Sequence, residues 1–203
     1  LSPAILFLGS FAGLKYRRKL DVESRLIWIY LLLALAIDIA ARIIAVYHDN
    51  NLFLWSFLAT MELLVFGQFY TQLVKKKSIA YGLILAGLLY IVFDVFWANP
   101  QEVSSFQSYA KVVSASMIVL LSLFYIIYQM RTDVIISWEK LNLNLAILTY
   151  FTLNVILLLP INFLINEGSG WAIYIWYLYL SITVLFYIYL SFYLWRSGKN
   201  RRP

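Results

Sequence analysis

Five ionisable side chains lie inside runs that are otherwise apolar: Asp38 and Arg42 in "LALAIDIAARIIAVY", Glu62 in "LATMELLVF", Asp94 in "YIVFDVFW" and Lys111 in "SYAKVVSAS". Two of these groups are bases that suit an anionic ligand group. Three are acids that suit a cation, a proton or the positioning of the bases. Each costs roughly 2.5 to 3.5 kcal/mol if it faces lipid at mid-membrane, so five unpaired charges would cost on the order of 10 kcal/mol or more. They are expected to face inward and to find partners. Asp38, Arg42 and Asp49 fall on one helix face, because steps of four and eleven residues return to within about 40° at 3.6 residues per turn. Tyr150 and Asn154 share a face of a later helix, and Tyr174, Tyr177 and Ser181 share one on the last. Hydrogen-bonding groups there would complete a cavity.

What surrounds these residues is set by composition. The 203-residue chain is 63% hydrophobic and 13% charged, with a mean hydropathy of +0.80, against roughly 25% charged residues in an ordinary soluble domain. This is the composition of a polytopic membrane protein. Apolar runs fall at about 1–14, 26–47, 52–74, 79–98, 106–130, 142–165 and 171–195, and six of them reach the roughly 20 residues needed to cross a ~30 Å hydrocarbon core. The first run is short, and the chain begins at Leu1 without a methionine, so residues before it are expected. An all-α bundle of seven transmembrane helices, forming a single domain over 1–203, is predicted.

The connections alternate in charge. Lys15, Arg17, Arg18, Lys19 and Arg25 fill the first, Lys75, Lys76 and Lys77 the third, Arg131 and Lys140 the fifth, and Arg196, Lys199, Arg201 and Arg202 the tail. The even-numbered connections, "HDNN", "NPQEVSS" and "NEGSG", hold no Lys or Arg. By the positive-inside rule the basic connections are cytoplasmic, which puts the N-terminus outside and the C-terminus inside. Trp28, Trp138 and Trp195 then fall at inner ends, and Trp55, Trp97, Trp171 and Trp176 near outer ends, where amphipathic rings gather. The net charge of +6 is absorbed by topology and anionic lipid, and no nucleic-acid partner is expected. In "RTDVIISWEKLN", Val134, Ile135, Ile136 and Trp138 suit a short segment lying on the inner surface.

This topology places all five intramembrane charges in the middle or outer half of the bilayer. A polar cavity open to the outside and walled by helices two to five would satisfy them, with Glu62 nearest the centre as the candidate to exchange a proton. Pro160 would free a carbonyl near the outer end of the sixth helix.

Several chemistries are excluded or disfavoured. The chain has no Cys and only His48, which removes disulfides, thiolate ligands, Cys nucleophiles and multi-histidine sites. The seventh apolar run has no Lys for a retinal Schiff base. Pro100-Gln101 lies in a connection without a counterpart in the other half, unlike the repeated signature of three-plus-three sugar transporters. No cofactor motif is present. Four classes stay open: a receptor or sensor binding a small anionic or lipidic ligand, a transporter or ion/proton pathway running inward past Gln68 and Gln72, a lipid-modifying enzyme using an acid pair such as Asp38 and Glu62, and a structural membrane scaffold if every intramembrane charge is internally paired with no cavity.

The segments "NNLFLWSFLATMELLVFGQFYTQLVKKK" and "FQSYAKVVSASMIVLLSLFY" resemble the third and fifth helices of a group of uncharacterised seven-helix membrane proteins of Bacteroidota. The matching positions are Asn50, Asn51, Glu62, Tyr109, Ala110 and Lys111. The sixth helix lacks the aromatic, Pro-containing opening of that group. The resemblance implies a bacterial inner-membrane location and a sensory role beside signalling partner proteins.

Overall fold

A computed structural model describes residues 2–47, 53–98, 109–132, 137–168 and 170–200. The described residues form α1 (Ser2–Tyr16), α2 (Val22–Tyr47), α3 (Phe53–Leu73), α4 (Lys77–Phe93, continued by a π-helical turn, Asp94–Ala98), α5 (Tyr109–Met130), α6 (Trp138–Asn166) and α7 (Trp171–Asn200). Six of these, α2 to α7, are long and apolar enough to cross a membrane. With 15 residues, α1 rises only about 22 Å and is too short to be counted with them.

The starts of α2 and α6 are set by local chemistry. Asp21 accepts the Ser24 backbone N–H at 3.0 Å, and Ser137 accepts that of Lys140 at 3.4 Å, each satisfying a donor that the first turn leaves free. Trp138 is therefore the first residue of α6, whereas the sequence places it in a surface segment. Val134, Ile135 and Ile136 of that predicted segment lie outside the described residues, as do His48, Asp49, Asn50, Asn51, Pro100 and Gln101.

Each helix packs against the next in sequence, and the short links make neighbours antiparallel. The links after α1, α3 and α5 share a basic end of the bundle. The C-terminal ends of α2, α4 and α6 point to the opposite end, base-free in its connecting sequences. Further contacts of α1 and α2 with α7, and of α3 with α5, close a ring in the order α1, α2, α3, α5, α6, α7. In this order α4 sits outside, over the seam between α3 and α5, and is not the fourth wall of an internal site.

The interior is aromatic. Tyr30 of α2, Phe66 of α3, Phe151 of α6 and Phe186 and Tyr187 of α7 meet in the middle, with Tyr30–Phe66 centroids at 4.8 Å and Phe66–Phe151 at 5.0 Å. Tyr150 stacks on Phe186 at 3.9 Å. Large rings fill the middle of the ring of helices, and such pairs add roughly 0.5 to 1.5 kcal/mol beyond their buried area. The close approach of α1 depends on glycine: a Cβ at Gly13 would run into the Trp28 ring, whose Nε1 instead donates to the Ser10 carbonyl at 3.0 Å.

Candidate functional site

Glu62 and Lys111 form an ion pair between α3 and α5, and both are buried, at 0% and 1% exposure. The Tyr30 hydroxyl donates to the other carboxylate oxygen of Glu62 at 3.3 Å. Periodicity explains the meeting. On α5 the buried residues Lys111, Ala115, Ile118, Ser122 and Tyr125 recur at steps of four and three, and on α3 Ala59, Glu62, Phe66 and Tyr70 do the same, so each charge sits on its helix's inward stripe. The Ser114 hydroxyl donates to the Ala59 carbonyl at 2.8 Å, drawing α5 against α3 one turn before Glu62. Lys111 thus reaches into the bundle and does not snorkel outward.

The pair occupies a polar layer closed on both sides. Toward the basic end lie Phe66, Phe151 and Phe186. Toward the base-free end, Trp55, Trp176 and Tyr179 form a triangle of rings with centroids 5.5 to 5.8 Å apart, beside buried Val112 and Leu158. Asn154 of α6 enters this region fully buried, and neither its Oδ1 nor its Nδ2 has a hydrogen-bond partner among the described residues. The Tyr150 hydroxyl, one turn away, faces Asn154 and Thr183. A buried amide with both ends unmet costs about 1 to 3 kcal/mol per group in a packed interior, and such a group calls for an explanation.

The other sequence candidates do not join this layer. Asp38 and Arg42 pair with each other along α2 at 3.2 Å, with side chains 27% and 62% exposed. The physical reason lies in α2 itself. Its buried residues end at Ile37, so the turns that carry Arg42 project past the core. Asp94 is buried in the π-helical turn that ends α4, beside Tyr90, which also faces Tyr109. Glu62 and Lys111 thus stand in one buried pair and Asp38 and Arg42 in another, more open one, with Asp94 at the far end of α4. Tyr177 and Tyr174 are largely exposed, because α7 buries the stripe of Tyr179, Phe186, Tyr187, Leu190 and Leu194, and a step of two residues turns a side chain by about 200°. The Ser181 hydroxyl donates to the Tyr177 carbonyl at 2.8 Å and stays on that outer face. Pro160 is exposed on α6. Gln68 and Gln72 also face outward, so the inward polar path proposed from the sequence is not built from them.

Two features escaped the sequence reading. Tyr30 is the hydroxyl donor to Glu62, hidden among many tyrosines of equal propensity. On the basic side of the aromatic layer, Asn144 Oδ1 accepts from the Tyr70 hydroxyl at 2.7 Å and from the Ser122 hydroxyl at 2.9 Å. Its signal was present: Asn144, Ile147, Phe151, Asn154 and Leu158 recur at steps of three and four, and all are fully buried. No protein-family model, no curated protein and no solved structure matches this chain.

Proposed function

We propose that this protein is a receptor or sensor of the bacterial inner membrane, with N-terminus out and C-terminus in, that binds a small anionic or lipidic ligand in the layer of Glu62, Lys111 and Asn154. The buried Glu62–Lys111 pair, next to an amide whose donors and acceptor are unmet, is the observation that carries this reading. A ligand carboxylate or phosphate would compete with Glu62 for Lys111, while Asn154 offers both a donor and an acceptor to the rest of the ligand. Tyr30 would hold Glu62 in place when Lys111 is drawn away. Because Trp55, Trp176 and Tyr179 cover the layer toward the base-free end, entry requires these rings to separate. Output passes to a cytoplasmic or membrane partner through the basic end.

The transporter reading receives less support, since the aromatic layer of Phe66, Phe151 and Phe186 separates the two polar regions and Gln68 and Gln72 point away from the interior. The enzyme reading would need two acids at one water, whereas Glu62 is paired to a base and Asp38 to Arg42. Thermal unfolding of the purified protein with acetate, phosphate and short-chain alkyl phosphates provides the test. At a hundred times its Kd a ligand adds about 2.7 kcal/mol of stability. A stabilising probe whose effect disappears in Lys111→Met is expected. Absence of an effect with every probe, or an effect that survives Lys111→Met, contradicts the reading.

A further inference from the structure

We infer that the cluster of Tyr70, Ser122 and Asn144 is a water-binding site, reached from the basic end of the bundle past the Glu23–Lys140 ion pair. The two hydroxyls saturate Asn144 Oδ1, which turns Nδ2 away from them. Nδ2 is buried in a residue of 0% exposure and has no acceptor among the described residues. It therefore presents two N–H donors to a group that must bring an oxygen or another acceptor.

Gln129 shows the converse need. Its Oε1 is buried and has no donor among the described residues. Seven residues separate it from Ser122, two turns toward the basic end on nearly the same face of α5, and Tyr125 lies between them, facing Gln129 and within 6.2 Å of the Tyr70 ring. On α6, Lys140 stands one turn from Asn144 and pairs with Glu23 at 2.6 Å, with the Lys140 side chain 37% exposed. These residues make a polar column that starts at the partly exposed ion pair and stops at Ile118, Ile147, Phe66 and Phe151, all fully buried.

A donor without an acceptor at one end and an acceptor without a donor at the other are both met by a molecule that can do either. Water is the smallest such molecule, and buried waters make about three hydrogen bonds to otherwise unmet groups. The column is independent of the Glu62 layer, from which the aromatic rings divide it.

The absence of cysteine permits a direct test on the full chain in lipid nanodiscs. Ser122→Cys and Ile118→Cys are made singly, silver ion is added to the folded protein, and free thiol is then titrated with a maleimide after denaturation. Silver should block Cys at 122 at least about tenfold faster than at 118, one turn farther along the same stripe, a ratio worth about 1.4 kcal/mol of access free energy. Equal rates, or protection of both, overturn the inference. Should either variant fail to fold, a high-resolution structure of the unsubstituted protein decides. An ordered water at about 2.7 to 3.2 Å from Asn144 Nδ2 supports it. A protein acceptor or an apolar group in that position overturns it.

Discussion

Two ion pairs of the same chemistry stand in this protein in opposite settings. Asp38 and Arg42 are four residues apart on one helix, with Asp38 partly and Arg42 largely exposed. Glu62 and Lys111 are 49 residues apart in sequence, on two helices, and sealed. The first pair forms whenever α2 forms, and its strength is that of a surface contact. The second forms only once α3 and α5 are packed, and there each charge depends on the other, because a single buried charge has no solvent and no second charge to replace its partner. Only the sealed pair can report on the arrangement of helices, so it is the better candidate for coupling a ligand to the rest of the bundle.

The contrast can be broken by single substitutions, beginning with the sealed pair. Glu62→Ala or Lys111→Met leaves an uncompensated buried charge and should cost about 3 to 5 kcal/mol, read as a loss of thermal stability in detergent. A smaller effect is expected on the basic side of the aromatic layer. Asn144→Leu strands the Tyr70 and Ser122 hydroxyls and should cost about 1 to 3 kcal/mol. Asn154→Leu, which breaks no hydrogen bond among the described residues, should leave stability unchanged or raise it while weakening the response to a ligand. If the two Asn→Leu variants lose equal stability, Asn154 has a packing role and not a binding one. The smallest effect belongs to the open pair: Arg42→Ala should change stability by about 0 to 1 kcal/mol, and added salt should shrink the difference further. A loss as large as that of Lys111→Met would mean that the outer turns of α2 are covered by another chain.

The elements themselves could be read from the sequence, because hydropathy, loop charge and tryptophan position all follow from one solvent boundary. Six helices long enough to span lie where the apolar runs predict them. The first apolar run forms a helix too, of 15 described residues. Where the sequence misleads, the cause is azimuth. Asp38 lies beside Ile37, the last buried residue of α2, and spacing alone does not reveal that the core has ended there. Tyr177 lies two residues from Tyr179, and in a helix apolar on every side neither is marked as the inward one. The helices are also so uniformly apolar that α4 cannot be told from a core helix, although it lies outside the ring. What the stripes do reveal is shared register: Lys111 with Ser122 on α5, and Asn144 with Asn154 on α6. The first members of such pairs are conspicuous by charge, whereas Ser122 and Asn144 become meaningful only beside Tyr70, which long-range packing supplies.

The central claim is that Glu62 and Lys111 are kept for binding and not for the stability of the fold. Its most direct measurement compares the double variant Glu62→Gln/Lys111→Met with both single variants, in thermal unfolding with and without a stabilising probe such as phosphate. Replacing a buried pair as a unit is often neutral or stabilising, and glutamine keeps an acceptor for the Tyr30 hydroxyl. The account predicts that the double variant recovers most of the stability lost by each single one and no longer responds to the probe. A double variant as unstable as the single ones, or one that still responds fully, would contradict it.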